Sequence, residues 1–124
     1  MNYLLIFIGG GVGSALRYGA SRVSLELIGP NFPAGTLFVN VVGSTLMGIL
    51  AAWFALRGQA DQTARLFLTT GIIGGFTTFS AFSLDTAMLW ERGAQSTTIG
   101  YILATFVLSV GGLFAGMAAT RALL

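Results

Sequence analysis

The chain has 124 residues, 55% hydrophobic and 8% charged. Soluble domains carry about 25% charged residues, so this composition excludes an ordinary globular surface and points to an integral membrane protein. With no Cys and no His, disulfides, thiol chemistry, imidazole acid–base work and zinc ligation are excluded, and a net charge of +2 spread along the chain makes no patch for nucleic acid.

Charges and breakers divide the chain into four apolar runs. Met1 to Leu16 is uncharged, and its pattern continues through Arg17 and Arg22 towards Leu27. No basic segment precedes this run, so it is expected to be a mature span and not a cleaved signal peptide. The cluster Gly29-Pro30-Asn31-Phe32-Pro33 marks a turn, after which the second run extends to Leu56. The third occupies Leu66 to Leu84 and the fourth Gly93 to Thr120. A spanning helix needs about 20 apolar residues. The expectation is therefore one all-α domain over 1–124 with four transmembrane helices, at about 2–27, 33–56, 64–90 and 96–121.

Arg57, Arg65 and Arg121 fall on the side of the N-terminus, and Arg22 and Arg92 on the other. So small an asymmetry gives little orientation by the positive-inside rule. Insertion either way up is open, and with it an antiparallel dual-topology homodimer. Three glycine pairs, Gly9/Gly13, Gly71/Gly75 and Gly112/Gly116, follow the GxxxG spacing that lets helices approach closely in lipid. They suit a compact bundle or a close dimer.

Polar residues inside the spans recur at fixed intervals. Thr36, Asn40, Ser44 and Gly48 in the second span, and Thr97, Tyr101, Thr105 and Ser109 in the fourth, lie four residues apart. Such positions stack on one helix face. They form either interhelical hydrogen bonds or a polar track for a solute, and Asn40 near mid-span favours the track. The only acid late in the third span is Asp85, which precedes Trp90, Glu91 and Arg92 and reads as an interface residue.

The third run holds "GGFTTFSAFSLD" at 74–85. From residue 64 to 90 a straight helix would be ~40 Å long at 1.5 Å per residue, more than a hydrocarbon core of ~30 Å. A break near Gly74–Thr78 is expected, and it would free backbone carbonyls that protein, water or an ion must satisfy. Carbonyls suit a hard cation; the positive edges of Phe76, Phe79 and Phe82 suit an anion.

This block, with "GGGVGSALRYG" at 9–19 and "GTLFVNVVGS" at 35–44, closely resembles the CrcB/Fluc fluoride-channel family over essentially the whole chain. The resemblance implies an antiparallel homodimer with two fluoride pathways and a structural sodium ion at its centre. By motif, Phe79 and Phe82 match the phenylalanines whose edges face fluoride, Asn40 the pathway asparagine, and Tyr101, Thr105 and Ser109 the polar track. Thr36 and Ser83 are counted with that pathway. Gly74 and Thr77 match the positions whose backbone carbonyls hold the sodium, and Arg17 the arginine near an aqueous vestibule. No role is implied for Phe76.

The function so implied is passive, fluoride-selective efflux across the cell's inner (plasma) membrane, protecting the cell from fluoride toxicity. Its partners are fluoride, the lipid bilayer and a second copy of the chain. The alternatives are a small multidrug-resistance-type proton-coupled exporter, which needs a membrane-embedded Glu that positions 1 to 25 lack, and a non-transporting assembly subunit. An enzyme is the weakest reading, because His and Cys are absent and acids few.

Overall fold

The break in the third span sets the architecture, and the other helices are arranged around it. The computed structural model describes residues 1–57 and 62–124. Helix α1 runs Asn2–Leu27, α2 Ala34–Leu56 and α6 Gln95–Leu123. The third span is segmented: α3 (Gln62–Arg65), a π-helix (Leu66–Ile73), α4 (Gly74–Phe76) and, after two extended residues, α5 (Phe79–Glu91). Among the described residues, four helical segments are thus long and apolar enough to cross a membrane, the third spanning Gln62–Glu91. The described residues are otherwise turns, and the chain is an all-helical, multi-pass membrane protein.

The connections on the far side from the N-terminus close by left-handed glycines. Gly29 has φ +97° and Gly93 φ +87°, a region that side chains with a Cβ avoid. At the end of α5 the Gly93 N–H donates to the Trp90 carbonyl and that of Ala94 to the Leu89 carbonyl, both at 3.0 Å, which satisfies the last carbonyls of the helix. The expected break is present: Thr77 and Thr78 are extended, with ψ 159° and 123°. Thr78 caps α5, its hydroxyl accepting from the Ala81 N–H at 3.1 Å, which occupies an orphan donor of the first turn.

All three GxxxG pairs are used within one subunit. A Cβ added to Gly9 would stand 3.0 Å from the Gly71 Cα, one on Gly13 would enter the Ile72 carbonyl, and one on Gly75 the Gly10 carbonyl. α1 and the π-helix therefore touch backbone to backbone. Gly116 does the same against the Thr45 carbonyl of α2, while a Cβ on Gly112 would meet the Thr45 side-chain hydroxyl, and α2–α6 is the most extensive helix pair. Below the break, α5 packs chiefly on α6. Large apolar side chains such as Phe7, Val107 and Phe114 point outward, as the greasy surface of a membrane bundle requires.

Candidate functional site: a polar cavity at the helix break

Breaking a helix in lipid leaves backbone groups that need partners, and the chain supplies them from three directions. From α2, the Asn40 amide makes a reciprocal pair with Thr78: Nδ2 donates to the Thr78 carbonyl at 3.0 Å and Oδ1 accepts from the Thr78 N–H at 2.8 Å. From α1, Arg17 Nε donates to the Gly75 carbonyl at 3.1 Å. From within the break, the Thr77 hydroxyl and N–H both donate to the Ile73 carbonyl, at 3.1 and 3.0 Å.

A cavity of about 260 Å³ opens beside this junction, lined by Asn40, Ser44, Thr77, Thr78, Phe79, Thr105 and Ser109 with Phe106 and Val110. Of the two expected polar stripes, Asn40 and Ser44 of α2 and Thr105 and Ser109 of α6 meet here. Their chemistry differs, however. The Thr105 hydroxyl donates to the Tyr101 carbonyl of its own helix at 2.7 Å. Asn40 has one N–H engaged by Thr78 and, since its amide carries two, one remaining. The Ser109 hydroxyl is buried with no hydrogen-bond partner, alone in this among the described residues.

A second cavity, of about 280 Å³, lies towards the Gly29–Pro33 turn and includes Ser21, Ser24, Asn31, Thr36, Asp85 and Arg92 in its lining. A chain of rings joins the two cavities. Phe79, in the first lining, has its ring centroid 5.5 Å from that of Phe82, and Phe82 lies 5.3 Å from Tyr101. The Tyr101 hydroxyl donates to Asp85 Oδ2 at 3.3 Å, in the second lining, with Thr36 beside it. Asp85 thus has a partner across α5 and α6.

The remaining expected positions fall elsewhere. Phe82 and Tyr101 are buried, whereas Phe79 is 71% exposed. Ser83 is exposed on the subunit, its hydroxyl donating to the Phe79 carbonyl at 3.0 Å. Arg17 is among the lining residues of neither cavity. Thr97 is exposed, and the inward place is taken by Thr98, 2% exposed, which donates to the Ala94 carbonyl; the stripe on α6 begins one residue later than strict spacing places it. Sequence reasoning missed Thr78 as the hub of the break. The signal was available, since a Thr three residues before the Ala81 N–H is an ordinary N-cap.

No cluster of three His, Cys, Asp or Glu exists among the described residues, so a cation at the break would rely on neutral oxygens, those of the backbone or of Asn40, Thr77 and Thr78. The side-chain and turn hydrogen bonds at the break end on the carbonyls of Ile73, Gly75 and Thr78, and among the described residues none ends on those of Gly74 or Thr77. Free carbonyl oxygens fit a hard cation. Gly74 also faces outward, an added Cβ there meeting only the Thr69 carbonyl at 3.6 Å.

Residues 4–117 match the CrcB-like protein family, Camphor Resistance (CrcB). The chain belongs to the CrcB family. Every residue of both cavities lies inside the CrcB match. Among curated relatives, this CrcB chain is 51% identical over 123 residues to the "Fluoride-specific ion channel FluC" of Rhodopseudomonas palustris (strain BisB5), covering 99% of each chain. It is 50% identical over 121 residues, 98% of each chain, to the "Fluoride-specific ion channel FluC 2" of Nitrobacter hamburgensis. The FluC protein of Agrobacterium fabrum is 51% identical over 121 residues, 98% of this chain and 97% of its own.

Proposed function

We propose that the chain is the subunit of a fluoride-selective channel that lets fluoride leave the cell passively and so protects it from fluoride toxicity. The observation that carries this reading is the cavity at the break that Asn40, Phe79 and Ser109 line together, with the Ser109 hydroxyl buried and without a hydrogen-bond partner. A buried donor with no partner costs about 1–3 kcal/mol, so its retention favours a partner that comes and goes. The full-length relatives named as fluoride-specific ion channels supply the identity of that partner.

Fluoride is small and strongly hydrated, and entry requires donors in place of water. Ser109 offers an O–H, Asn40 its second N–H, and Phe79 and Phe82 the positive edges of their rings. All are neutral, so the ion is held loosely enough to leave. The Phe79–Phe82–Tyr101 series gives the route from the break to the second cavity, where Thr36 and Ser24 offer the next hydroxyls, while the Tyr101 O–H is already given to Asp85. Ser83, exposed on one subunit, would enter the pathway only through a second copy.

We infer an antiparallel homodimer. Phe79 and Gly74 are both exposed on the subunit, the first cavity is open-sided, and the arginines barely bias orientation. In that dimer the free Gly74 and Thr77 carbonyls of the two copies would hold one structural sodium ion, which supplies a fixed positive charge joining the two breaks. The expected site is the inner membrane. The deciding experiment is fluoride efflux, read by a fluoride electrode, from liposomes containing only this protein. Efflux that collapses a fluoride gradient without a proton gradient is the expected result; no efflux, or efflux that tracks a proton gradient, overturns the reading.

A further inference from the structure

The guanidinium of Arg17 is out of place for a residue that meets an anion. It sits ten residues before the end of α1, half-buried, and lines neither cavity. Charges within a spanning helix are costly and are normally paired with one another or with backbone carbonyls. Arg17 takes the second solution: its Nε donates to the Gly75 carbonyl at 3.1 Å. That carbonyl belongs to the last turn of a half-helix, where unsatisfied oxygens gather the negative end of the helix dipole. A cation on α1 facing that end is favourable on both counts.

The position is also geometrically locked. Gly75 packs its backbone on Gly10, and Gly13 packs on Ile72 and Phe76, so α1 approaches the half-helix with no room for a Cβ between them. Arg17 is one turn further along the same helix and reaches the end of the same segment. Across the break, Asn40 holds Thr78 from α2. The extended pair Thr77–Thr78 is therefore clamped at both ends by side chains from different helices. Phe79, the first residue of α5, follows directly.

We propose that Arg17 is a positioning residue of the helix break. It fixes the end of α4 through the Gly75 carbonyl, and so sets where Thr78 and Phe79 stand, without attracting the permeating anion by its charge. The alternative is an electrostatic role, in which the positive charge raises the local concentration of anions and is screened by salt. The two roles differ in what salt does and in what happens to the backbone. The flux arm of the test rests on the conduction reading above; the exchange arm does not.

The experiment compares wild type, Arg17→Gln and Arg17→Lys in proteoliposomes, at fixed sodium and at low and high ionic strength adjusted with a salt of large organic ions. Fluoride efflux is read beside hydrogen–deuterium exchange of peptides covering 74–82. The positioning role predicts exchange at the break faster by about tenfold or more in Arg17→Gln, the equivalent of one hydrogen bond to a charged group. Flux falls with it by a factor that is the same at both ionic strengths. Arg17→Lys keeps the charge and loses the planar Nε donor, so its flux and exchange move in the same direction; it stands in for Arg17→Gln if that variant does not fold. Unchanged exchange in the variants, with a flux deficit that Lys repairs or that high salt abolishes, overturns the proposal. If wild type conducts no fluoride, the channel reading fails by itself, and exchange at 74–82 still decides the role of Arg17.

Discussion

The Asn40 side chain and the Thr78 peptide unit bind each other through two hydrogen bonds, 3.0 Å from Nδ2 to the Thr78 carbonyl and 2.8 Å from the Thr78 N–H to Oδ1. An amide can donate and accept at once in this planar fashion without any change of protonation state. Asn40 is buried, so the pair is shielded from water. Its first role is to replace the helical partners that the break removes.

Asn40→Asp follows directly from that pairing. A carboxylate keeps the acceptor for the Thr78 N–H but sets a second oxygen against the Thr78 carbonyl. One buried hydrogen bond becomes a repulsion and a carbonyl is left unsatisfied, at a cost of about 1–3 kcal/mol. The variant should lose thermal stability in detergent and fluoride flux together. Full stability with lost flux would show that Asn40 serves the ion and not the break.

The glycine pairs give a test with an internal control. Gly13→Ala drives a Cβ into the Ile72 carbonyl of the π-helix, and overpacking of this kind costs about 1–3 kcal/mol. Gly19→Ala, on the same helix with nothing within 4 Å, should instead gain up to ~1 kcal/mol of helix propensity. Melting temperatures of the two variants should move in opposite directions. Equal behaviour would mean that the approach of α1 to the π-helix is not close in the protein as it stands in a membrane mimetic.

These particulars show what could be read from the sequence and what could not. Charge gaps and the Gly29–Pro33 cluster locate the spans because lipid permits little else, and excess length with paired glycines locates the break. The π-helix at Leu66–Ile73 has no counterpart in residue pattern: an i→i+5 ladder uses the same side chains as an α-helix and is decided by packing on α1. The partnering of donors was equally hidden. Spacing put Asn40, Thr105 and Ser109 on inward faces but could not say that Thr105 bonds to its own helix, that Asn40 turns to Thr78, or that Ser109 has no partner. Strict four-residue spacing also chose Thr97 over Thr98, because 3.6 residues per turn drifts against a period of four.

Dual topology is testable because the chain has no cysteine. Gln62 is exposed at the start of α3, next to residues 58–61, which lie outside the described residues. A single Gln62→Cys, treated with a membrane-impermeant thiol reagent, should label in comparable amounts from either side of the membrane. Labelling from one side alone would remove the antiparallel dimer and leave the open-sided cavity in need of another cover.

The two phenylalanines should separate stability from conduction. Phe82 is 7% exposed and Phe79 71%, although their rings are neighbours. Isoleucine is close in bulk and lacks the positive ring edge. Phe82→Ile removes ring contacts to Tyr101 and Phe106 and should cost up to ~1.5 kcal/mol as well as flux. Phe79→Ile should leave subunit folding untouched and still cut flux severely. Normal efflux through Phe79→Ile would show that its ring edge does not face the ion.

Ser109 gives the sharpest distinction, because its structural and functional roles predict opposite signs. Its hydroxyl is buried and makes no hydrogen bond, so Ser109→Ala deletes an unsatisfied donor and should raise the melting temperature or leave it unchanged. Thr105→Val differs in kind: the Thr105 hydroxyl already donates to Tyr101, so its loss should cost about 1 kcal/mol. If Ser109 supplies a donor to fluoride in passage, the stabilised Ser109→Ala protein should conduct at least about tenfold more slowly, the worth of one hydrogen bond to a charged group. Ser109→Thr, which keeps the hydroxyl, should recover part of that flux. Melting and electrode-monitored efflux on the same preparations decide the matter, and Ser109→Ala with raised stability and undiminished efflux would place the ion's path away from this cavity.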